Sequence, residues 1–179
     1  MKKYYKDYTA DLKVTDDGKI VRKVKYVGDY YEYRLDEKEY RKMRGILFGT
    51  VILDLILFVL AGLLNSDGSF QFYILLPYMF SLLPMIFLLW GYISIPKKKK
   101  IMEYSIYDKS FLRVKFSLVG ILAAGTVTTL SDIIYIVSSK NKIHLLNEIG
   151  FCIFNLIIVI LSMTVLFYHN CIVCNKRNA

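Results

Sequence analysis

Charge is scarce in this sequence, 22% of 179 residues, and it is nearly missing from four long blocks between Gly45 and Tyr168. Gly45–Leu64 holds one charged residue, Asp54; Phe70–Ile95 holds none; Phe116–Val137 holds one, Asp132; Ile149–Tyr168 holds none. A soluble domain is about 45–50% apolar and disperses those residues by helix or strand period. Here 55% is apolar and it is concentrated in the four blocks. That excludes a soluble enzyme, a disordered tail and a disulfide-framed secreted domain. Also missing are a phosphate-binding loop, a Gly-rich dinucleotide fingerprint, a span carrying a Ser, His and Asp set, and the Gly-x-Gly-Asp context of an intramembrane aspartyl protease. No constellation points to catalysis, and no cofactor is expected.

What is present is an all-α polytopic membrane protein. A bilayer core of ~30 Å needs about 20 apolar residues at ~1.5 Å rise each, so the blocks predict four transmembrane helices, over about 45–64, 70–95, 116–137 and 149–168. Strands of alternating polarity are missing from the blocks, which excludes a β-barrel. The five-residue connection 65–69 makes the first two spans an antiparallel hairpin. Pro77 and Pro84 interrupt the second, and proline removes a backbone donor and crowds the preceding turn, so a kink or tilt is expected there. Gly45-x-x-x-Gly49 and Gly120-x-x-x-Ala124 allow close helix approach, within the bundle or between copies.

Lysine and arginine set the expected orientation. Thirteen lie before Gly45, seven between Pro96 and Lys115, and two after Tyr168; Asn65–Ser69 has none and Ser138–Glu148 has two. The 22 against two predict cytoplasmic N- and C-termini. The first 44 residues are too polar for a signal-peptide core, so the first span is expected to direct insertion. The run Lys97, Lys98, Lys99, Lys100 suits anionic lipid headgroups; nucleic acid is the lesser alternative and is not expected as a partner. The Lys- and Ile-rich usage suggests a bacterial inner membrane.

Residues 1–36 predict a cytoplasmic β-meander in front of a membrane domain over 37–179. Tyr8, Ala10, Leu12 and Val14 alternate with polar residues, Asp16-Asp17-Gly18-Lys19 supplies a turn, Ile20–Val27 is a second strand, Gly28-Asp29 a hairpin turn, and Tyr31, Tyr33 and Leu35 share one face of a third. Eight of the fifteen tyrosines lie in the first 44 residues. Three short strands cannot close a core alone, so one face must lie on the bundle, on lipid or on another protein. Asp36 with Glu39 three residues on predicts a helix start, running unbroken into the first span. Tyr104, Tyr107, Phe111 and Val114, in the basic loop 96–115, predict an interfacial amphipathic helix.

Candidate chemistry sits at few positions. Asp54 is near the middle of its span, where a charged carboxylate costs ~2.5–3.5 kcal/mol, and its face (Leu47, Thr50, Val51, Phe58, Ala61) is mostly apolar. Asp132 lies toward the outer end of the third span on a small, polar face with Gly125, Thr128, Thr129 and Tyr135. Each is either an interhelical hydrogen-bonding group or part of a proton or cation path, and a third reading has Asp132 reach the outer interface. His169, Cys171 and Cys174 supply zinc-type donors, but a closed zinc site needs four; reduced juxtamembrane thiols are the simpler reading. The leading functional expectation is a non-enzymatic accessory or assembly subunit of a larger membrane complex, with a membrane-protein partner or self-association. The alternative is a homo-oligomeric transporter or channel using Asp54.

Overall fold

The structure, a computed structural model, describes residues 7–14, 20–33, 35–97, 101–138, 145–171 and 174–177. Four helices are long and apolar enough to cross a membrane: α1 (Glu37–Leu63), α2 (Phe72–Ile93), α3 (Tyr104–Ser138) and α4 (Leu145–Cys171). Their polarity is the reverse of a soluble bundle. Phe80, Phe116, Leu130 and Phe167 point outward, whereas Asp54, Asp132, Asn155 and Ser162 point inward. Such an arrangement suits a solvent as apolar as lipid.

The start of α1 follows the local chemistry. Glu39 accepts a hydrogen bond from the Asp36 backbone N–H at 3.4 Å, Glu37 and Glu39 place negative charge at the positive end of the helix dipole, and Arg41 pairs with Glu37 at 2.6 Å. The helix then continues through Gly45 and Gly49, both facing open space, so this glycine pair packs on nothing in the described bundle. The amphipathic segment and the third span are one helix, α3, with a π-turn at Asp108–Leu112. Helix α2 runs on through Pro77 and Pro84. Two glycines bring α2 and α3 close: a side chain at Gly120 would meet the Pro84 ring at 3.1 Å, and one at Gly91 would meet Val114 at 2.9 Å.

Packing does not follow chain order. Helix α3 packs most extensively on α2 and next on α4, and α4 packs on α1; α1 and α2, though joined by a short loop, touch least of these four packed pairs. That last seam is fastened at separate points. Tyr78 stacks on Phe58 with centroids 4.4 Å apart and donates its hydroxyl to the Phe58 carbonyl. Tyr92 meets Phe48 at 5.2 Å and the Arg44 guanidinium at 5.5 Å. Tyr40, fully buried, donates to the Pro96 carbonyl at 2.6 Å.

The predicted three-stranded meander is corrected. β1 (Tyr8–Val14) and β2 (Ile20–Tyr26) form a two-stranded antiparallel hairpin with Tyr8 opposite Tyr26. β3 (Tyr30–Tyr33) does not extend it. Instead β3 is the middle strand of a second sheet, ordered β4-β3-β5, between β4 (Met102–Glu103) before α3 and β5 (Cys174–Arg177) after α4. The aromatic rings give the reason. Tyr26 lies edge-on to both Tyr8 and Tyr30 at 5.1 Å, donates to the Asp29 carbonyl at 3.0 Å and accepts from the Tyr104 N–H at 3.1 Å, which fills the corner where a tight hairpin would turn. Tyr31 then stacks flat on Tyr107 at 4.2 Å, above the fully buried Met102. Tyr8 donates to Glu103 at 2.5 Å, tying hairpin to sheet. This bond holds the Tyr8 hydroxyl above the usual tyrosine pKa, so the tie stands at neutral pH and is lost as alkali removes the proton.

Tyr30 and Glu103 face each other across β3 and β4. Cysteines at both, in a chain with its native cysteines replaced, are expected to cross-link readily under mild oxidation. A meander would hold the two positions apart, and failure to cross-link in the folded protein would restore it.

Candidate functional site

Helix α4 buries one residue in every three or four: Glu148, Phe151, Asn155, Ile158, Ser162, Val165 and His169. Every second member is polar, so Glu148, Asn155, Ser162 and His169 recur at seven-residue steps along one face. Seven residues are close to two turns and rise about 10 Å, and the stripe therefore spans the length of the helix. Hydropathy does not reveal it: none of the residues within 149–168 is charged, and a span bounded by the apolar block leaves Glu148 in the preceding loop. The seven-residue polar period was the signal available.

The carboxyls differ in their environments. Asp54 on α1 is 1% exposed; its Oδ2 accepts from Ser162 Oγ at 3.4 Å, while Oδ1 has no partner among the described residues. Asp132 on α3 does not reach the surface. It is fully buried, and neither of its oxygens has a hydrogen-bond partner among the described residues. Its nearest hydroxyls are committed elsewhere, since Thr128 and Thr129 donate to the carbonyls of Ala124 and Gly125 at 2.9 and 2.8 Å. The Cys152 thiol, a weak donor placed to interact with the carboxyl, and the Glu148 carboxylate are the ionisable groups that face it. Leaving a buried polar atom unbonded costs ~1–3 kcal/mol.

Glu148 is the opposite case. It accepts from Ser66 Oγ at 2.7 Å and from the Gly68 N–H at 2.8 Å, both buried. A side chain at Gly68 would come within 2.6 Å of Glu148 Oε2 and 2.7 Å of the Tyr135 ring, so the close approach requires glycine. Asn147 adds a bond to the Asn65 carbonyl at 3.0 Å. Together these fasten the α1–α2 connection to the first turn of α4.

At the end of the bundle that carries the sheets, His169 is 4% exposed, lies on the Phe111 ring with centroids 4.3 Å apart, and has no partner for Nε2 among the described residues. It lines a cavity of about 350 Å³ between α1 and α4, together with Leu35, Glu39, Lys42, Ile46 and Leu47. Cys171 closes α4 and Cys174 opens β5; their side chains lie outside the described residues, and so does the test of the zinc reading. Among the described residues no three His, Cys, Asp or Glu side chains are grouped as metal ligands. Lys97 is exposed, and Lys98, Lys99 and Lys100 lie outside the described residues.

No family model matches the chain, and neither a curated protein nor a solved structure matches it.

Proposed function

We propose that the chain is a multi-pass membrane protein that takes protons or small cations into its helix interior, with Asp54 and Asp132 as the groups that receive them. One observation carries this reading: Asp132 is buried whole with both oxygens unbonded among the described residues. A carboxyl kept to hold helices together is hydrogen-bonded, as Glu148 is; one kept without bonds where it is costly is retained for what it does. No lysine or arginine is among the buried residues described, so positive charge for this interior comes from outside the core. The excess of Lys and Arg in the segments on the sheet side favours a cytoplasmic sheet end, and the run Lys97–Lys100 suits anionic headgroups of a cell membrane.

The accessory-subunit reading has one observation in its favour. The β1–β2 hairpin is only two-stranded, and Val24 within β2 and Val27 just after it are 60% and 51% exposed, a surface a partner protein would cover. Native mass spectrometry of gently extracted complexes separates the two: a second protein at fixed stoichiometry favours the subunit. For the leading reading, purified protein in liposomes under an imposed ion gradient is expected to show uptake that Asp54→Asn abolishes while the fold persists. Unchanged uptake in that variant removes Asp54 from the role.

A further inference from the structure

We infer that the transported species is the proton and that it travels along the polar face of α4, entering or leaving the cytoplasmic end through the cavity beside His169. This rests on the proposed function and adds its substrate and its route. The first support is the ladder itself: Glu148, Asn155, Ser162 and His169, all buried, at equal steps of about 10 Å along one face. The neighbouring helices add Asp132 near Glu148 and Asp54 on Ser162. The second support is independent of spacing. Unbonded polar atoms occur along this same seam, at both Asp132 oxygens, at Asp54 Oδ1 and at His169 Nε2. Buried polar atoms without protein partners call for water, which typically makes about three hydrogen bonds in such sites. Waters between the rungs would meet these needs and link one rung to the next.

The chemistry selects the proton over a metal cation. A bound cation needs some six oxygens converging on one point, whereas the rungs, about 10 Å apart, fall short of that: Asp54 with Ser162 offers three oxygens, Asn155 one and His169 none, and both Glu148 oxygens are already spent on Ser66 and Gly68. The polar side chains of this seam spend their donors on their own helices, Asn155 on the Phe151 carbonyl at 2.9 Å and Thr129 on the Gly125 carbonyl, and keep oxygen lone pairs for water; the buried residues between the α4 rungs are Phe151, Ile158 and Val165. Proton relay asks for no more than that. Each hop forms one O–H or N–H bond as another breaks, so a proton gradient drives the sequence without a co-reactant. At the cytoplasmic end the groups around His169 are Phe111 and Lys115 from α3 and, across the cavity, Glu39 and Lys42 from α1.

The test uses the full chain in liposomes with a trapped pH dye, driven by a potassium diffusion potential. Two variants probe the route. His169→Gln removes the imidazole, and the expected loss of flux is roughly a hundredfold or more, the scale of a positioned proton-transfer group. Ile46→Trp fills the cavity from a side chain that is 43% exposed and so leaves the core intact; it too is expected to lower the flux. If His169→Gln fails to fold, Ile46→Trp decides. Full flux in Ile46→Trp and in folded His169→Gln, with Asp54→Asn inactive, overturns this route and leaves the proposed function standing. Sodium uptake without acidification overturns the proton while keeping the interior acids. No flux in the unaltered protein defeats both.

Discussion

Replacing Asp132 with leucine is expected to raise the stability of the purified protein by about 1–3 kcal/mol while abolishing proton uptake. The side chain occupies a fully buried position on α3, and neither carboxyl oxygen is bonded among the described residues. Leucine removes two polar atoms that have no partner among the described residues and keeps an apolar side chain of related shape between α3 and α4. Thermal unfolding in detergent, paired with the liposome assay, reads both effects on one preparation. The sign is what decides. A structural Asp132 would make Asp132→Leu less stable than the parent, and that result would remove the observation on which the proposed function stands.

The other acid at the same end gives the opposite expectation. Glu148→Ala is expected to destabilise by about 3 kcal/mol, since two buried donors, Ser66 Oγ and the Gly68 N–H, lose their shared acceptor at ~1–3 kcal/mol each. The α1–α2 connection would also lose its fastening to α4, so protease cleavage within 65–71 should accelerate. Glu148→Gln should fall between, because an amide oxygen can still accept from one donor while its NH₂ opposes the second. A Glu148→Ala protein as stable and as protease-resistant as the parent would show that the loop is held by other contacts.

Much of the bundle was legible because charge exclusion and length are one-dimensional signals. The four spans, the α1 start at Asp36 and Glu39, and the inward face shared by Leu47, Val51, Asp54, Phe58 and Ala61 all follow from spacing along one helix. The burial of Gly125, Thr128, Thr129 and Asp132 does as well. The sheet was not legible in the same way. Alternation marks Tyr30–Tyr33 as a strand but does not name its partner, and Met102–Glu103 is too short to carry a period. Position along the helix also misled at Glu148: α4 begins at Leu145, which turns a presumed loop residue into a buried acceptor. The polar stripe of α4 was hidden because Asn, Ser and His spread singly among apolar residues do not disturb a hydropathy window. Only the seven-residue interval marks them as one surface.

The composite sheet has a further consequence, for the order in which the protein is made. β3 is synthesised early, yet one of its neighbours waits for the passage between α2 and α3, and the other, β5, follows the last helix. Until Cys174–Arg177 leaves the ribosome, an edge of β3 stays open, and open edges recruit other chains. Closing that edge amounts to a completion check: only a polypeptide whose fourth helix has been made can supply Cys174–Arg177 and finish the sheet.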